Sequence, residues 1–104
     1  MNSQSSLKTA NLLGICIKAG KTVKGFDSVC EAVKKGTVFC VLTACDASEK
    51  TIKEISFICG KYDTAVYASQ LSKDELAVLC GKTSAVIGVT DKGFSDGFGK
   101  ILSE

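Results

Sequence analysis

Lys21, Lys24 and Gly25 stand just before a short amphipathic helix, and the chemistry they offer is anion binding. In that helix Phe26, Val29, Cys30 and Val33 fall at i, i+3, i+4 and i+7, so one face is apolar and packs inward. Gly25 has no side chain to block approach. The free N–H groups of the first turn, flanked by Lys21 and Lys24, are therefore disposed to receive a phosphate. The stretch 18–36 holds five lysines against two acids, whereas the other 85 residues hold eight lysines against nine acids. The chain's positive excess thus sits at this helix. Each feature also has an ordinary reading: lysines beside a helix are commonly a solvated face, and Lys34 and Lys35 in the last turn suit the helix dipole. Phe26 is either a packing contact or a ring on which a base stacks.

Other chemistry finds little support. There is no histidine, and the acids are scattered over caps and exposed helix faces. A general base near neutral pH is missing, and no serine or cysteine nucleophile has a recognisable partner. The chain is therefore expected not to be an enzyme. Six cysteines (Cys16, Cys30, Cys40, Cys45, Cys59, Cys80) lie in apolar patterns without CxxC spacing, which predicts reduced, mostly buried thiols and no metal site. Gly20-Lys21-Thr22 resembles the end of a nucleotide-binding loop, but Ile15 occupies the position of the required first glycine. No cofactor is expected. All thirteen cations are lysines, so the forked guanidinium that reads guanine edges is missing too.

The elements that position these residues follow from periodicity. A chain of 104 residues, 45% hydrophobic and 23% charged with net charge +2, reads as one ordinary globular domain. Ser5 or Ser6 is expected to cap a first helix with Leu7, Ala10, Leu13 and Ile17 on one face, closed by Gly20. Thr22 to Lys24 forms a brief strand, and the second helix runs from Gly25 to Gly36. Val38 to Leu42 and Ala85 to Val89 are apolar on successive residues and are expected as interior strands. Asp46 or Ser48 opens a third helix with Ile52, Ile55, Ile58 and Cys59 inward, a Glu49–Lys53 pair outside, and Gly60 at its end. A strand over Ala65 to Ala68 follows, then a helix opened by the Ser72–Glu75 capping box and ended by Gly81. Thr90 or Asp91 caps the last helix, which carries Phe94, Phe98, Ile101 and Leu102. Helices alternating with short apolar strands predict an α/β fold, a three-layer α/β/α sandwich on a sheet of about four strands. No apolar run is long enough to span a bilayer, and the N-terminus lacks the apolar segment of a secretory signal. The expected location is the cytoplasm.

Three stretches, NLLGICIKAGKTVKG, VFCVLTACDASEKTIKEI and VIGVTDKGF, resemble in order and spacing the small bacterial YlxQ-like branch of the kink-turn-binding ribosomal protein family. The resemblance runs from about Leu7 to Leu102. It implies a single RNA-binding-type ribosomal protein domain over 1–104, with 1–5 as a flexible tail, and an α/β/α sandwich that meets RNA at the start of its second helix and at a loop near the last strand. The family's signature there is a glycine, then asparagine and glutamate, then a lysine three residues after the glutamate. Here the matching positions hold Gly25, Asp27, Ser28 and Glu31, so only the glycine is kept. The loop from Gly81 and Lys82 to Ser84 resembles the second contacting segment.

The expected function is a non-enzymatic RNA-binding or ribosome-associated protein with altered kink-turn-reading residues, using Lys21, Lys24, Gly25 and Phe26 with help from Lys82. Its expected partner is structured RNA, ribosomal RNA among the candidates, with no DNA and no membrane. The alternative is a protein-interaction module on the same fold that has lost RNA recognition and uses the Phe26 region as a contact surface.

Overall fold

The structure, a computed structural model, describes residues 3–81 and 83–102, with side chains from residue 6 onward. The elements along it are α1 (Ser3–Lys18), β1 (Thr22–Lys24), α2 (Phe26–Lys35), β2 (Cys40–Thr43), α3 (Glu49–Lys61), β3 (Ala65–Ala68), α4 (Lys73–Cys80), β4 (Val86–Val89) and α5 (Lys92–Leu102). The strands form one sheet in the order β1-β4-β2-β3; β4 is antiparallel to both neighbours and β2 is parallel to β3. The two successive-apolar runs supply the central strands, and every residue of β2 and β4 is buried.

Alternation along these strands feeds two cores. Cys40, Leu42, Ile87 and Val89 point into one, against Leu13 and Cys16 of α1, Leu76 of α4 and Phe98 of α5. Val41 and Val86 point into the other, against Val29 and Val33 of α2 and Ile55 and Cys59 of α3. Helices thus cover both faces, which is the three-layer α/β/α sandwich expected from the sequence. Burying each such Leu, Ile or Phe contributes roughly 1.5–3 kcal/mol before entropic costs. In the second core Gly88, paired with Val41 and Val23, leaves room for Val38: a Cβ there would lie 3.2 Å from a Val38 methyl.

Several boundaries differ from expectation. Helix α1 is already running at Ser3, inside the stretch expected as a tail, so Ser5 and Ser6 lie within it and are not its cap. Its buried line is Thr9, Leu13 and Cys16, and Leu7 is 63% exposed because at 100° per residue it lies about 120–180° around the helix from that line. Phe39, expected inside a strand, precedes β2 at a bend and is exposed. Ser48 caps α3 by accepting from the Thr51 N–H (3.2 Å), while Asp46 turns away to accept from the Lys73 N–H at the start of α4 (2.8 Å). On the outer face of α3 Lys50 pairs with Glu54 (4.0 Å). Gly60 stays helical, the helix ends at Lys61, and Asp63 takes the left-handed turn at φ 58°. The Ser72–Glu75 capping box forms in full, and Asp91 caps α5 through the Phe94 N–H (3.0 Å).

Candidate nucleic-acid interface

The start of α2 is held by β1, which pairs Lys24 with Ile87 of β4 and delivers Gly25 to the end of the sheet. Gly25 is the N-cap at φ 93° and ψ 143°, a conformation that an L side chain strains to adopt, and no side chain caps the helix. Its carbonyl accepts from the Val29 N–H (2.9 Å), which leaves the first-turn N–H groups of Phe26, Asp27 and Ser28 facing outward. Asp27 and Ser28 are exposed. Phe26 is half-buried against the Val29–Val33 core, so its ring chiefly packs.

Two contacts stitch this helix start to a segment more than fifty residues away. The Gly25 N–H donates to the Ser84 hydroxyl at 3.1 Å, and that buried hydroxyl donates in turn to the Val86 carbonyl. The Lys24 ammonium donates to the Cys80 carbonyl at 3.0 Å, on the last residue of α4, where it also faces the negative end of the helix dipole. Burial pushes the Cys80 thiol up from its ordinary pKa, and the nearby Lys24 charge opposes the rise. Gly81 ends α4 in the left-handed conformation at φ 82°, turning the chain toward Ser84. The helix start is therefore tied to Cys80 and Ser84, at the two ends of the turn that joins α4 to β4. Lys82 lies outside the described residues.

The other sequence-predicted residues spread around this centre. Lys21 is exposed at the opposite end of β1, about 10 Å of strand from Lys24. Glu31 sits one turn along α2, paired with Lys35 at 3.4 Å, and both line a shallow outward groove with Ser28, Ala32 and Thr37. Ser84 ends the loop that the resemblance singles out, but its hydrogen bond to Gly25 was not expected. The only local signal for it was a small hydroxyl residue placed immediately before an apolar strand, and its partner lies 59 positions earlier. Among the described residues, no cluster of three or more histidine, cysteine or acidic side chains forms a metal site, and no helix is long and apolar enough to cross a membrane. All six thiols are free, five of them buried and Cys45 exposed.

The fold is thus an α/β/α sandwich whose second helix opens without a side-chain cap beside the segment that leads into the last strand. The chain belongs to the ribosomal protein L7Ae/L30e/S12e/Gadd45 family, which it matches over residues 8–98. Among its relatives, the RNA-binding protein YlxQ of Enterococcus faecium is 30% identical over 91% of each chain. The RNA-binding protein YlxQ of Bacillus subtilis is 32% identical over 95% of this chain and 96% of its own. A Bacillus halodurans structure described as a protein with unknown function superposes with a TM-score of 0.84 at 32% identity, over 91% of this chain and 96% of that one. The 15.5kD RNA binding protein of Giardia lamblia gives 0.79 at 18% identity, over 99% and 88%, and speaks to the fold alone.

Proposed function

We propose that this protein binds structured RNA, without catalysis, through the start of α2 and the adjoining 81–84 loop. The observation that carries this reading is the pair of contacts from Lys24 to Cys80 and from Gly25 to Ser84, which unite two distant segments around three outward N–H groups. Backbone N–H groups and lysine point charges suit phosphate, and they are what an arginine-free chain has to offer. The YlxQ relatives are named for RNA binding, which agrees with a non-catalytic role. The ribosomal relative eL30 of Candida albicans, 30% identical over 81% of each chain, makes ribosomal RNA a natural candidate target. Cytoplasmic residence fits such a target.

Specificity is where this chain departs from the pattern that its sequence resembles. Asp27, Ser28 and Glu31 bring acceptors and negative charge to positions that would otherwise read guanines. The RNA is accordingly not a standard kink-turn. The test is titration of a structured RNA at several salt concentrations. Replacing Lys21 and Lys24 by glutamine should weaken binding and reduce the salt slope by about one per lysine. Glutamine is preferred to glutamate at Lys24 because it removes the charge without setting a carboxylate against the Cys80 carbonyl. Salt-independent binding, or none at low salt, would turn the reading toward a protein-interaction module centred on Phe26.

A further inference from the structure

The outer ridge of α3 combines an exposed aromatic with cations. Phe57 is 73% exposed and points directly away from the buried Ile55 and Cys59. At 100° per residue, Lys50, Lys53 and Lys61 all fall within about 40° of Phe57 on the helical wheel, whereas Glu54 lies about 60° and Glu49 about 80° away. Lys50 contacts Glu54 only at 4.0 Å, and Lys61 lies 6.0 Å from the ring of its neighbour Tyr62, itself half-exposed. An aromatic of this size on the outermost line of a helix has no packing duty in the fold.

We propose that this ridge is a second nucleic-acid contact, on which a single-stranded stretch of RNA stacks a base on Phe57 and lays its phosphates along Lys50, Lys53 and Lys61. A flat ring framed by ammonium groups matches a nucleotide, which joins a π-face to an anion on one short repeat. An apolar protein partner would need apolar neighbours around the ring, and the exposed Ile52 lies about 140° away around the helix. The placement is favourable too. Strands β1 and β2 are parallel, and α2 and α3 follow their C-terminal ends, so both helices start at one end of the sheet and pack side by side in one layer. RNA leaving the start of α2 therefore meets the Lys50 end of the ridge first.

The inference rests on the helix-start reading only in taking the partner to be RNA, and the test separates the two. Fluorescein-labelled oligouridylate of twelve residues is titrated by anisotropy at low salt, and a stem-loop RNA is titrated in parallel. Phe57→Ala should weaken oligouridylate binding about tenfold, Phe57→Trp should retain it, and the Lys53→Gln, Lys61→Gln pair should lower the salt slope by about 1.4. Phe57 is exposed and belongs to neither core, so its truncation leaves the packing intact, and the Trp variant controls for folding. Oligouridylate binding that depends on Phe57 while the stem-loop fails to bind would keep the ridge and remove the helix-start site. Oligouridylate binding unchanged by Phe57→Ala overturns the ridge. So does polyglutamate binding with the same dependence on Phe57, since the occupant would then be an acidic chain.

Discussion

Ser84 and Gly25 hold the candidate interface together, and each is intolerant of change for a different reason. Ser84→Ala leaves the Gly25 N–H and the Val86 carbonyl without a common partner in a buried spot. The expected cost is about 1–3 kcal/mol in urea unfolding. Gly25→Ala forces an L residue to φ 93°, at a cost on the order of 1–3 kcal/mol. An unchanged midpoint in either variant would show that the junction is looser than its geometry implies. The thiols give a second residue-scale prediction. Cys45 should react with an aromatic disulfide at once in the native protein, the five buried thiols slowly, and all six after unfolding without reductant. Burial first, then the charge of Asp91, pushes Cys16 up to about 11, and burial likewise raises Cys59 to about 11. Both groups are neutral when folded, so their contribution to stability is fully present below the unfolded thiol pKa near 9 and is lost as pH rises from there toward 11. Unfolding midpoints measured at pH 7 and pH 10 should fall in that direction.

At the scale of elements, the glycines divide into those that a helix merely tolerates and those that packing requires. A Cβ on Gly14, inside α1, would meet nothing within 4 Å, so Gly14→Ala should stabilise by about 0.5–1 kcal/mol through helix propensity and unfolded-state entropy. On α5, a Cβ at Gly99 would lie 2.8 Å from the Tyr67 hydroxyl and one at Gly97 would lie 3.0 Å from a Leu12 methyl. Gly99→Ala should therefore destabilise, opposite in sign, and parallel thermal melts decide both. This division was not legible in the sequence, where Gly93, Gly97 and Gly99 look like weaknesses in a helix. What was legible came from local pattern: the full burial of β2 and β4 from their unbroken apolar runs, the capping box of α4, and the apolar face of α2. What escaped was set by distant partners. Asp46 looked like a cap for its own helix but satisfies the start of α4, and Leu7 was assigned to the inner face of α1 although the sheet takes the Thr9, Leu13 and Cys16 line on the other side.

For the molecule as a whole, the proposed function makes the fold and its specificity separable. The sandwich rests on the two cores, neither of which contains Asp27, Ser28 or Glu31; all three are exposed on α2. Changing them should leave the scaffold standing. The Glu31–Lys35 pair that would be lost is a surface i, i+4 contact, about two-thirds exposed on both sides, and such pairs are worth about 0.3–0.5 kcal/mol. On the function proposed above, Asp27 lacks the donor half of an asparagine amide, Ser28 is too short to stand in for a glutamate accepting from guanine N–H groups, and Glu31 would present a carboxylate where a lysine would donate to guanine O6 and N7. Contacts of this kind are worth about 1–3 kcal/mol each, so three together weaken a standard kink-turn by several powers of ten if the costs roughly add. The expected outcome is that the native protein binds such an RNA weakly or not at all. The combined change Asp27→Asn, Ser28→Glu, Glu31→Lys should confer binding with little change in melting temperature. The measurement is a titration of one kink-turn RNA against both proteins at matched salt, since the added lysine alone raises nonspecific affinity; a mutated RNA in which the guanines facing these positions are replaced must then lose the gain. Tight binding by the native protein would place the reading residues elsewhere on this surface, with the 81–84 loop the first to test.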